Sequence, residues 1–94
     1  MQRYRTIAGT DQAVAFTTAA SAQSAAVGSA TYAVLLSCSQ NVHIEIGPNP
    51  TAKASTWMLK STDPGLILGL APGDKIAVLG DTAAGTLYMV ELTS

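Results

Sequence analysis

Chemistry-bearing residues are scarce in this chain, which holds one histidine, His43, one cysteine, Cys38, and one tryptophan, Trp57. Structural zinc sites draw four ligands mainly from cysteine and histidine, so two such residues in total exclude one. A lone cysteine forms no internal disulfide, which fits assembly in a reducing compartment. Charge is equally thin. Charged residues are 12% of the 94, about half the usual share, and five basic and six acidic residues lie scattered for a net charge of -1. No basic stripe exists to track a phosphate backbone or an anionic membrane, so nucleic acid and membrane surfaces are not expected partners. Apolar runs stay short of the roughly 20 residues that span a bilayer. Gly9, Thr10, Asp11 and Gln12 cut off any apolar run behind Arg3 and Arg5, so no secretory signal is expected. No glycine cluster opens a helical pattern, which excludes a phosphate-cradling loop, and the proline of Asn49-Pro50-Thr51 spoils a glycosylation acceptor.

What the chain does have is apolar bulk, 48% of its residues, much of it alanine. A chain of this length is one domain with one modest core, and the surplus either points to self-association or docking on a partner or is mostly alanine that exposes little apolar surface. Short segments rich in β-branched and aromatic residues alternate with glycine, proline and aspartate at intervals of about eight to twelve residues, the rhythm of an antiparallel sandwich or barrel. Residues 3–8 and 12–18 read as strands around a Gly9-Thr10-Asp11 turn, and 19–29 as an extended segment. In 31–38, Tyr32, Val34, Leu36 and Cys38 share one face while Ala33, Leu35 and Ser37 share the other. Both faces are apolar, so this strand is expected at the centre of a sheet. In 41–47, Val42, Ile44 and Ile46 point inward, and His43 and Glu45 point to water or a partner. Pro48 and Pro50 end that ladder, since proline lacks the amide hydrogen, and a loop projecting to about Ser55 is expected. Strands at 56–60, 66–70, 75–80 and 86–92 follow, separated by Asp63-Pro64-Gly65, Pro72-Gly73-Asp74 and the 81–85 loop. The expected fold is all-β: a single antiparallel β-sandwich or barrel, jelly-roll-like, of about eight short strands. It fills 1–94, with 1–11 either an N-terminal arm or the first strand.

No catalytic set completes itself. Cys38 and His43 fall on strands read as neighbours, but on opposite faces of a regular pleat, so the thiol reads as a small core hydrophobe. Glu45 and Glu91 make a glycosidase-like pair only if their strands place them on one face. Asp63, Asp74 and Asp81 occupy turns, where aspartate bonds its own backbone, a simpler account than calcium. Trp57, Tyr32 and Tyr88 are either a sugar-stacking platform or core and interface anchors. No enzyme, cofactor or metal is expected.

From residue 31 to residue 92, about two thirds of the chain, the order of segments is distinctive. A hydrophobic strand precedes His43-Ile44-Glu45-Ile46-Gly47 and Asn49-Pro50-Thr51-Ala52, then Trp57-Met58-Leu59. Leu70-Ala71-Pro72-Gly73-Asp74-Lys75-Ile76-Ala77-Val78 follows, and Gly85-Thr86-Leu87-Tyr88-Met89-Val90-Glu91-Leu92 ends it. This succession resembles the small β-sandwich decoration, or cement, proteins of tailed bacteriophages. The resemblance implies a virion structural protein, assembled in the host cytoplasm, that binds the outer shell where major capsid protein subunits meet and stabilises the head. It also implies a homo-oligomer, a trimer on three-fold sites or else a dimer. A neck, tail or fibre-attachment component, or a carbohydrate-binding module, are the alternatives. The candidates for capsid or self contact are Arg3, Tyr4, Arg5 and Ile7 at the start, then His43, Glu45, Asn49 and Trp57.

Overall fold

A computed structural model describes residues 5–29, 31–62 and 65–93. Alternating side chains make nine strands among them: β1 (Arg5–Thr6), β2 (Gln12–Phe16), β3 (Ala22–Gln23), β4 (Ala33–Cys38), β5 (Val42–Gly47), β6 (Met58–Leu59), β7 (Leu66–Gly69), β8 (Lys75–Gly80) and β9 (Gly85–Thr93). β1 and β2 are in effect one strand along β9, broken by an excursion at 7–11. Its turn is closed by Thr10, whose N–H and hydroxyl both donate to the Ile7 carbonyl (3.3 and 2.7 Å).

The ladders nest. β5 pairs β6, β4 pairs β7, β3 pairs β8 and β2 pairs β9, all antiparallel, so the chain is one long hairpin. That hairpin is rolled up by two further ladders, β4 on β9 and β5 on β8. Two sheets result, β2-β9-β4-β7 with β1 in line with β2 along β9, and β3-β8-β5-β6. This is a jelly-roll sandwich, as the strand rhythm led one to expect.

The inward rows form the core. Phe16, Val34, Leu36, Leu87 and Met89 from the first sheet meet Val42, Ile44, Leu59, Ile76 and Val78 from the second. Each such side chain contributes about 1.5–3 kcal/mol by leaving water. Packing is closest where the β8–β9 hairpin closes over Phe16. A Cβ on Gly80 would lie 2.6 Å from the Ala83 carbonyl oxygen and 3.1 Å from the Phe16 ring, so only glycine fits there.

Several expectations need correcting. Cys38 and His43 are not on neighbouring strands, because the chain changes sheet between β4 and β5. The strand expected at 56–60 shrinks to Met58–Leu59, since the preceding residues are committed to a turn: the Thr56 N–H donates to the Lys53 carbonyl (3.0 Å). Tyr32 shares the parity of Val34 and Leu36 but lies beyond the strand and is exposed. The loop after Gly47 does not project. Pro50 and Ala52 are buried, the Gln23 amide donates to the Pro50 carbonyl (2.7 Å), and the Ala52 N–H donates to the Ser21 hydroxyl (3.0 Å). The loop thus leaves β5, crosses outside β8 to reach β3, and returns at Trp57, whose carbonyl accepts from the Ile44 N–H (2.8 Å). It is a strap over the second sheet.

Candidate functional site

The strap decides what the second sheet shows to solvent. Its outer row holds Gln23, Lys75, Ala77, Leu79, His43, Glu45 and Met58. Ala77 points away from the core yet is 0% exposed, and a side chain this small lets the strap lie close against β8. His43, expected on the solvent side, is 8% exposed. Its Nδ1 lies 2.8 Å from the Thr56 carbonyl oxygen and its Nε2 lies 3.1 Å from Asp81 Oδ1. The ring therefore joins the strap to the β8–β9 loop. Glu45 and Asn49 stay exposed, the Asn49 side-chain oxygen accepting from the Gln23 amide (3.1 Å).

The first sheet is the opposite case. Its outer row is Ala13 and Ala15 on β2, Thr86, Tyr88, Val90 and Leu92 on β9, Ala33, Leu35 and Ser37 on β4, and Ile67 and Gly69 on β7. None of these residues is charged. Ala33 and Leu92 are buried at the end beside β1, while Leu35 and Val90 are half-buried. Tyr88 is 51% and Ile67 46% exposed. Beside Tyr88 an open depression of about 370 Å³ runs past Ala13, Ser37 and Val90 to Asp11 at its rim. Tyr88 and Ile67 are thus large apolar side chains exposed on an outer row without charge.

Of the contact candidates at the start of the chain, Arg3 and Tyr4 lie outside the described residues. Arg5 is exposed on β1 opposite Thr93, and the Ile7 N–H donates to the Glu91 carbonyl (2.9 Å), so both are tied to β9. Trp57 is exposed beside β6 in the second sheet while Tyr88 stands on the first, so the two do not share a platform. Tyr88 entered only as a sugar-stacking or anchoring aromatic, and Ile67, Leu35 and Val90 were not among the candidates. The signal for Leu35 was the apolar second face of residues 31–38, since the centre strand of a two-layer fold has only one inner face.

Several groups weighed for chemistry are held in structural bonds. The Glu91 carboxylate is buried on the inner side of β9, where it accepts from the Gly28 N–H (3.0 Å) and the Thr31 hydroxyl and so latches the β3–β4 connection. Glu45 is exposed in the other sheet, so the two carboxylates do not share a face. The Cys38 thiol donates to the Leu59 carbonyl (3.7 Å). Among the described residues no three of histidine, cysteine, aspartate and glutamate gather to hold a metal ion. No helix among them is long and apolar enough to cross a membrane. No protein-family model, curated protein or solved structure matches the chain.

Proposed function

We propose that this protein is a structural component of a virion, a decoration protein that seats on the outer face of the capsid and stabilises the head. The observation that carries this reading is the charge-free outer row of the β2-β9-β4-β7 sheet. An apolar face adds nothing to the fold of a lone copy and lowers its solubility, so its use lies in contact. The partner is the major capsid protein at junctions between its subunits. Each copy contributes a small area, and repetition over a symmetric lattice makes the sum strong. The jelly-roll body suits this role because two hydrogen-bonded layers around one dense core present that face rigidly.

Purified particles test the proposal. The protein is expected in copy numbers that are a large fraction of those of the shell subunit, and particles lacking it are expected to open at lower temperature or at low salt. A dozen copies or fewer per particle would move the protein to the neck or tail. Unchanged particle stability without it would count decisively against a cementing role.

A further inference from the structure

The lateral edges of the two sheets are not alike. At β3, the strap lies alongside through Gln23 and Ser21. Beside β2, the Gln12 side chain accepts from the Ala25 N–H (2.9 Å) and donates to the Ala25 carbonyl (3.4 Å), which closes that side of the sandwich. β1 is two residues long and carries Arg5. β6 is also two residues long and is followed by Lys60. Shortness, charge and cover are the devices by which natural sheets block pairing with another chain.

β7 uses none of them. It is the last strand of its sheet, Leu66-Ile67-Leu68-Gly69, with no charge, no proline and an unbroken register on β4. The Leu70 N–H donates to the Tyr32 carbonyl (3.0 Å), one step beyond the Gly69 and Ala33 partners. Antiparallel ladders alternate bonded and non-bonded pairs, so Leu66, Leu68 and Leu70 bond to β4. Ile67 and Gly69 therefore aim their N–H and C=O groups away from it, at the free edge.

We propose that β7 pairs antiparallel with β7 of a second copy of this chain about a two-fold axis through Leu68. The register follows from geometry. Residues directly opposite one another in a sheet share a face, so a two-fold perpendicular to the sheet must pass between two copies of the same residue. Centring on Leu68 sets Ile67 against Gly69 of the second copy, and Gly69 against its Ile67. All four edge-facing backbone groups of each copy are then bonded, whereas centring on Ile67 uses only one of the two residues. Gly69 leaves room for the facing Ile67 side chain, and the half-buried Leu68 side chains meet on the core side. A three-fold ring would need β7 to meet a different edge, and the others are closed among the described residues, so the assembly is a dimer. The two uncharged outer faces then lie on the same side of one continuous sheet.

Sedimentation equilibrium of the full chain from about 1 μM to about 1 mM tests this, since an edge-only interface is small and gives weak affinity. A monomer–dimer equilibrium is expected. Ile67→Lys weakens it by roughly 30-fold or more, because a lysine on the edge is the standard block, while Thr82→Lys on the distant β8–β9 loop changes it by less than about two-fold. Leu68→Cys in a Cys38→Ser background is expected to give a covalent dimer on mild oxidation, and Ala13→Cys none. A chain that stays monomeric to about 1 mM, a trimer, or a dimer that Leu68→Cys does not cross-link overturns the proposal. So does a dimer unaffected by Ile67→Lys. A monomer that takes only an edge strand of the shell protein overturns it too, while leaving the capsid role standing. Loss of the capsid role would not touch the dimer, which is measured without particles.

Discussion

The two outer faces of the sandwich are written in the same period-two alternation and end in opposite states. On the β3-β8-β5-β6 face the outer row contains Lys75, Glu45 and His43, and a strap from Pro48 to Trp57 covers its middle, burying Ala77 and the His43 ring. On the β2-β9-β4-β7 face the outer row has no charge, and Tyr88 and Ile67 stand in water. Alternation assigns a residue to the inside or the outside of a sheet but does not say what covers the outside. The strapped face completes itself within one chain, and every buried polar side-chain atom among the described residues has a hydrogen-bond partner. The bare face has no such strap over Tyr88 and Ile67 among the described residues. In this protein the cover, more than the pattern, separates the two surfaces.

The comparison breaks most visibly if charge is moved to the bare face. Tyr88→Glu combined with Val90→Lys is expected to weaken attachment to capsids at least about 100-fold, since central aromatic and aliphatic contacts carry most of an interface. The melting temperature should change little because both side chains point outward. Quantifying the protein on particles at graded concentrations reads the effect, and undiminished attachment would remove this face as the contact surface. The next largest effect belongs to the strapped face. His43→Ala removes both hydrogen bonds of a buried ring and leaves the Thr56 carbonyl and Asp81 without that partner. A loss of about 1–3 kcal/mol in urea unfolding is expected, with faster amide exchange in residues 53–57. A loss below about 0.5 kcal/mol would show that the strap does not depend on this ring.

Those two faces also divide what was legible in the sequence from what was not. The inward row of β5, Val42, Ile44 and Ile46, follows from strict alternation, and so does the central place of β4, because both are properties of consecutive residues. The all-β sandwich class came through for the same reason, with about eight strands expected where nine form among the described residues. The fate of His43 did not, since its partners are 13 and 38 residues away in sequence. Pro48 and Pro50 announce that the ladder stops but not where the chain goes, and the bond that answers this joins Pro50 to Gln23, 27 residues earlier. The change of sheet between β4 and β5 is equally hidden, because nesting of the ladders is set by pairs such as β2 with β9 at opposite ends of the chain. The bare face lay between these cases. Its residues were visible as the second apolar side of residues 31–38, but centrality alone was read from them, and only the two-layer arrangement turns that side outward.

The smallest expected effect probes the hinge between the two conditions, the bond by which the strap reaches the β3 edge. The Gln23 amide donates to both the Pro50 carbonyl (2.7 Å) and the Asn49 side-chain oxygen (3.1 Å), so it acts there purely as a donor. Gln23→Ala removes the donor at a site open enough for water to replace part of it, and a loss of about 0.5–1.5 kcal/mol is expected. Gln23→Glu is the sharper variant, because an ionised carboxylate would bring a third acceptor against two oxygens and repel them. It should therefore cost more than the alanine at neutral pH, although it is nearer to glutamine in size. Urea unfolding of the two variants, with amide exchange followed at Thr51 and Ala52, decides the point. If the order is reversed, side-chain volume holds the strap on β3, and the covered face is closed by packing instead of by directed bonds.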